Sequence, residues 1–339
     1  MKSIISVLFL VCFICTLQAQ VISVVTNGVT TNVSNLQSAL DVANDESIIY
    51  LPGSTGGITA NVKVDKKVHI IGVGYRDDNN LVISKTLLNG NITFIPGSDG
   101  STLMGVYVDG DVIIGETGLG STGYVVNALL IQQCNINRIT QVTPSSNDYG
   151  GNSIKITQNI IRNYNNDIRM NNPIITNNAF TSSASPFGII RYTSGAIISN
   201  NIFYTSNILS GNNNYFFRNN ICLAGINATQ LNGGAVATNN IICNTTTFVG
   251  NYSNVGKDKI FKKWEGYSGF RYTDDYSLLD DCIGKNGGSD GKDVGIYGGD
   301  GWKEGGIPFN PYIESAVIAP ETAADGTLSI KVKVTVDGK

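Results

Sequence analysis

Five times between residues 154 and 248 a short apolar run meets a pair of polar amides and turns apolar again. The joints are Gln158-Asn159, Asn177-Asn178, Asn200-Asn201, Asn219-Asn220 and Asn239-Asn240. Their first members stand 19, 23, 19 and 20 residues apart. A repeat of this length means one small structural unit stacked on copies of itself. The unit is rich in β-formers on both sides of the joint, as in Ile197-Ile198-Ser199-Asn200-Asn201-Ile202-Phe203-Tyr204, and no helical period of apolar residues runs through it.

Aligning the copies on the amide pair gives fixed columns. Two residues before it stand Ile156, Ile175, Ile198, Phe217 and Ala237; four before it stand Ile154, Pro173, Ala196, Tyr215 and Ala235. Directly before the pair stand Thr157, Thr176, Ser199, Arg218 and Thr238. Alternation by two marks a strand with one buried face. A coil of about 20 residues at about 3.3 Å each has a perimeter near 65 Å, enough for three short strands and three turns. The predicted fold is all-β: a right-handed parallel β-helix with each rung hydrogen-bonded to the next. Asparagine suits the joint because it tolerates the left-handed conformation of a sharp turn. Its amide also both donates and accepts, so stacked copies can bond as an asparagine ladder.

The NNIF, NNIC and NNII joints resemble those of the pectin-lyase-like β-helix superfamily, and more narrowly of secreted bacterial members without an assigned function. Lys67-Val68-His69-Ile70-Ile71-Gly72-Val73-Gly74-Tyr75 and Asp293-Val294-Gly295-Ile296-Tyr297-Gly298-Gly299 support the resemblance, which covers roughly residues 35 to 318. It implies a fold and leaves function open, because β-helices host lyases, hydrolases, adhesins and spikes.

Residues 1–19 read as a secretory signal peptide, with Lys2, an apolar core from Ile4 to Cys15 and Ala19 at the cut. The core is too short to span a membrane, so no transmembrane span is expected in the mature chain. Residues 20–304 read as the β-helix with its N-terminal cap, and 305–339 as a C-terminal β extension packing on it. Ser34-Asn35-Leu36-Gln37 reads as a capping box, opening a helix whose apolar stripe is Leu36, Ala39, Leu40 and Ala43 and whose end is at Asn44. In the tail, Leu328, Ile330, Val332, Val334 and Val336 alternate with polar residues, and Tyr312 to Ile318 is the expected partner strand.

The mature chain keeps Cys134, Cys222, Cys243 and Cys282. Cys222 and Cys243 stand three and four residues after the first amide of their joints, which puts their side chains on opposite faces, as thiols and not a disulfide. With 23 basic and 26 acidic residues the net charge is −3, and no basic stripe points to nucleic acid. Only 14% of residues are charged, a surface compatible with a carbohydrate partner.

The chemistry available is sparse. Between residues 120 and 250 the acids are Asp148 and Asp167 alone. Each stands ten residues before its joint, which predicts the two in register on adjacent rungs, with Arg169 and Arg191 on the same strand. Such a patch would hold a cation, calcium being the cofactor it suits, or an anionic sugar with an arginine as base; the plainer reading is a surface ion-pair cluster. Trp264, Tyr267 and Tyr272, among aromatics that include Phe270 and Tyr276, are a sugar-stacking platform or, more simply, a cap on the last rung. His69, the single histidine, sits on an early strand. Asp290-Gly291-Lys292-Asp293 has calcium-loop character without the full spacing. The acid scarcity favours a binding protein for polysaccharide or another extracellular partner, without catalysis. The alternatives are a polysaccharide lyase for uronic-acid glycans, or a glycoside hydrolase, with a reduced site, and a structural or adhesive surface protein.

One further expectation concerns cover. Lys155, Ile174, Ile197, Phe216 and Val236, three residues before the joints, should face outward although four of the five are apolar, and the strands after the joints are apolar on both faces. Apolar stripes of this length call for a cover, and Tyr312 to Val336 is the candidate.

Overall fold

The computed structural model describes residues 21–54, 56–76, 84–118, 124–143, 150–163, 166–181, 188–231, 234–243, 247–266, 269–308, 312–318, 321–323 and 325–335. Residues 1–20, and with them the expected signal peptide, lie outside the described residues.

The chain forms a parallel β-helix. Strands before the joints stack into one sheet and strands after them into a second, with 11 and 12 strands. In the first sheet the strands Ser47–Tyr50, Val68–Ile71, Thr102–Met104, Leu130–Gln132, Lys155–Thr157, Ile174–Thr176, Ile197–Ser199, Phe216–Arg218 and Val236–Thr238 pair in parallel order. The second sheet pairs Ile160 with Ala179, Ile202, Ile221, Ile241 and Tyr252 in turn. Bridges such as Ile168 to Ile190 and the pair Ile190–Arg191 with Leu209–Ser210 form a sparse third side.

The columns explain the stacking. Ile156, Ile175, Ile198 and Phe217 are wholly buried in one core, where Phe180, Phe203 and Phe217 stack at centroid distances of 5.0 and 5.9 Å. Truncating such an isoleucine to alanine costs about 2–5 kcal/mol, because the stack cannot close the cavity. Cys222 faces this core, whereas Cys243 packs on the opposite side of the strand; all four described cysteines are free thiols.

The two residues of each joint have different tasks. The first takes the left-handed turn, with φ of 59° at Gln158, 55° at Asn177, 59° at Asn200, 57° at Asn219 and 58° at Asn239. The second points inward. Asn159 donates to Asn178 Oδ1, Asn178 to Asn201, Asn201 to Asn220 and Asn220 to Asn240, each at 3.0 Å, and Asn240 to Asn251 at 2.7 Å. Each Oδ1 also accepts the next backbone N–H, as Asn201 does from Asn178 at 2.9 Å. Wholly buried amides are tolerated because donors and acceptors are matched rung by rung.

The N-terminal end is covered as an exposed sheet edge requires. α1 (Leu36–Val42) buries Leu36, Ala39 and Leu40. Its N-cap is Asn35, which accepts from Ser38 N, in place of the expected Ser34 box, and Ala43 rather than Asn44 ends it. Lys66 Nζ donates to the carbonyls of Leu40 and Ala43, placing a cation at the helix C-terminus. The hairpin of β1 (Ile22–Thr26) and β2 (Val29–Val33), which adds two antiparallel strands to the first sheet, was not expected.

The tail forms the expected antiparallel ribbon, Tyr312–Ile318 with Ile330–Thr335. Its described side chains, among them Val317 and those from Asp325 to Val334, are exposed. Cover for the second sheet comes from the described residues 257–266 and 269–308, which run back along the outside of the stack as a strap. Ile260, Phe261, Tyr276, Leu278, Val294 and Ile296 bury Ile202, Ile221 and Ile241. The aromatic segment therefore lies against the flank and is not a cap on the last rung.

Candidate functional site

The strap is fixed by the first amide of each joint. Asn239 Nδ2 donates to Gly287 O (3.0 Å), Asn219 exchanges bonds with Ser289 (3.1 and 2.9 Å), Asn177 Nδ2 reaches Ile296 O and Gly298 O (2.8 and 2.7 Å), and Gln158 Nε2 reaches Gly301 O (3.0 Å). Strap numbers rise as joint numbers fall, so the strap runs antiparallel to the order of rungs and ends at Tyr75, whose N–H donates to Gly305 O at 2.8 Å. Gly295 is required where the strap crosses Ile221: its φ is +90°, and a Cβ there would lie 2.5 Å from Ile221 Cδ1.

Because the strap closes over the joint and the second sheet, the outer face of the first sheet is left open. Two outward columns cross it in register. One runs Ile48, His69, Thr102, Leu130, Lys155, Ile174, Ile197, Phe216, Val236. The other runs Tyr50, Ile71, Met104, Gln132, Thr157, Thr176, Ser199, Arg218, Thr238. Nine strands at about 4.8 Å span about 40 Å. Toward the C-terminal end the first column is apolar and uncovered, Ile174 being 36%, Phe216 46% and Val236 49% exposed. The second column there is hydroxylic apart from Arg218, and Thr157 and Thr176 join their hydroxyls at 3.0 Å.

Where this face meets the strap lies a cleft of about 230 Å³. Thr176, Ser199 and Arg218 form its floor, Asn177, Asn200 and Asn219 its inner edge, and Ser289, Asp290, Gly299 and Asp300 its wall. Arg218 is exposed and lies over the Phe216 ring at 5.8 Å, and no described carboxylate comes within ion-pair distance of it. Asp300 is 3.8 Å from Lys155 Nζ. The cleft thus presents hydroxyls, a guanidinium and carboxylates beside an apolar strip.

The sequence-predicted residues fall elsewhere. Asp167, Arg169 and Arg191 are brought together on the third side: Asp167 Oδ1 accepts from Arg169 Nε (2.5 Å) and Arg191 Nε (3.0 Å), and Oδ2 from Arg191 Nη2 (2.6 Å). Arg169, 8% exposed, also donates to Thr143 Oγ1 at 3.3 Å and lies over the Tyr192 ring. Both carboxylate oxygens are engaged by guanidiniums. Asp148 lies outside the described residues; on either side of it in the chain, Thr140 bridges Asp167 and Gly150 N bonds Arg169 O.

Trp264 and Tyr272 belong to the strap, and Tyr267 lies outside the described residues. Trp264 packs edge-on to Phe261. The Tyr272 hydroxyl accepts from Asn135 Nδ2 at 3.0 Å, its ring stacks on Tyr75, and Arg76 lies over it at 4.7 Å; burial pushes the phenol up to about 12. Asp293 accepts from Lys285 Nζ (2.8 Å) and Asn286 N (3.0 Å), and Asp290 from Lys292 N (3.2 Å). His69 contacts Thr102 Oγ1 at 3.0 Å and Glu46 Oε2 at 3.3 Å on the surface. Among the described residues no group of three or more His, Cys, Asp or Glu side chains is gathered to hold a metal, and no helix is long and apolar enough to cross a membrane.

Sequence reasoning missed the cleft. Its signal was present as Arg218, the one charged member of an otherwise hydroxylic column. No protein-family profile matches the chain, and a search of curated proteins finds no matching relative.

Proposed function

We propose that this chain is an extracellular, right-handed pectin-lyase-like β-helix that binds polysaccharide along the outer face of its first sheet without catalysis. The observation that carries the reading is the pairing of two columns on that face, apolar Ile174, Ile197, Phe216 and Val236 beside polar Thr176, Ser199, Arg218 and Thr238, left open where the rest of the joint is strapped. Sugars have the matching chemistry: C–H faces that rest on apolar side chains and hydroxyls that both donate and accept. Regular spacing of the rungs suits a polymer, which can meet the same two columns repeatedly. The apolar start of the sequence supports export. Mutual engagement of Asp167, Arg169 and Arg191 supports a structural role for them over that of an acid or base.

Native gels cast with soluble glucans, xylans, mannans and polygalacturonate test this. At least one should retard the full chain, Phe216→Asp should lose that retardation, and no polymer should yield new reducing ends or unsaturated product. Equal mobility in every gel would remove the reading.

A further inference from the structure

We infer that the cleft between strap and sheet is the specificity subsite of this face and that it takes a neutral, polyhydroxylated sugar unit in preference to a uronate. The inference rests on the glycan-binding reading above and adds the class of glycan.

The argument begins with charge placement. Asp290 and Asp300 stand on the strap wall and Arg218 on the sheet floor, all three exposed around the same cleft. Two other cations come near and both are engaged: Lys155 lies 3.8 Å from Asp300, and Lys292 Nζ donates to Gly299 O at 2.6 Å. Arg218 has no such carboxylate among the described residues. A gap lined on one side by acceptors and on the other by a donor is bridged by groups that do both, which is what sugar hydroxyls are. Thr176 and Ser199 on the floor add two further hydroxyls, and Phe216 beside Arg218 offers an apolar surface for a ring face.

A polyuronate brings a carboxylate on every unit. Two of the three charged side chains lining the cleft are carboxylates and would repel it, while Lys155 and Lys292 nearby are already engaged. Discrimination of this kind acts through repulsion as much as attraction. Lysine or arginine at 290 and 300 would give the opposite preference. The joint amides anchor the strap beside these two residues: Ser289 and Gly301, adjacent to Asp290 and Asp300, are bonded to Asn219 and Gln158. The wall is therefore rigid where it carries charge, as a selective subsite needs.

Calorimetry with cello-, xylo- and mannohexaose and with hexagalacturonate, on the full chain and on Asp290→Asn/Asp300→Asn, tests the inference. The wild type should bind at least one neutral hexasaccharide ten-fold or more tighter than hexagalacturonate. The double variant, whose substitutions are exposed and should leave the melting temperature unchanged, should shrink that ratio at least five-fold. Tighter binding of hexagalacturonate by the wild type, or an unchanged ratio in a variant that melts normally, overturns the inference while leaving the glycan-binding reading in place. Binding of none of the four, together with equal mobility in every native gel, removes both.

Discussion

Asn177 and Gly298 are 121 positions apart in sequence and are joined by a 2.7 Å hydrogen bond from a side-chain amide to a backbone carbonyl. That contact, repeated in kind at Gln158, Asn200 and Asn239, ties the return strap to the stack, and Asn219 adds a pair of bonds with Ser289. Each joint thus supplies a turn, an inward amide that holds rung to rung and an outward amide that holds the strap.

Replacing Asn177 by glycine should loosen the strap without disturbing the turn, since glycine accepts the 55° φ. Two bonds are lost and the Ile296 and Gly298 carbonyls lose their amide donor, a cost of about 1–3 kcal/mol. Proteolysis within residues 287–301 should accelerate before global unfolding. Gly295→Ala should act alike through its clash with Ile221. Cleavage rates equal to wild type in both variants would show that the strap is held by its apolar contacts alone.

The inward amides should matter more. Asn201→Leu removes a side chain that donates to Ile175 O, Ser199 O and Asn220 Oδ1 and accepts from Asn178 twice. Urea denaturation should show a loss of about 3 kcal/mol, at the top of the range for a stranded buried polar partner. A loss below about 1 kcal/mol would mean that the rungs stack without help from the column.

How much of this was legible in the sequence depends on the range of the determinant. Ile175, Ile198 and Asn201 declare themselves because a stacked rung repeats its environment about every 20 residues. The need for cover was also readable, from apolar residues on both faces after the joints. Its source was not. Ile260, Phe261, Val294 and Ile296 have no period, being spaced by glycine turns, and their partners lie tens of residues away, so the regular alternation of the tail drew the assignment instead.

Asp167 is expected to be structural. Asp167→Ala removes three charge-assisted hydrogen bonds from largely buried guanidiniums and should cost about 3 kcal/mol in urea. Glycan affinity should not change beyond two-fold at a temperature where the variant is folded. A stable variant that loses binding would move the site to the third side.

Alkaline pH should destabilise the strap. Burial raises the Tyr272 phenol to about 12, and raises Tyr75 and Tyr204 as well. The unfolded chain releases these protons near pH 10, so native stability is intact below that value and falls as pH rises from about 10 towards 12. Tyr272→Phe should flatten the fall, read as melting temperature against pH. An identical profile in the variant would show that Tyr272 does not contribute.

The most direct measurement is hydroxyl-radical footprinting of side chains with and without a soluble polysaccharide that retards the protein in a gel. Binding on the open face of the first sheet predicts protection of Ile174, Phe216 and Val236 and unchanged oxidation of Ile283 and Tyr297, which are exposed on the strap. Protection confined to the strap, or none at Phe216 in the presence of a bound polymer, would contradict it.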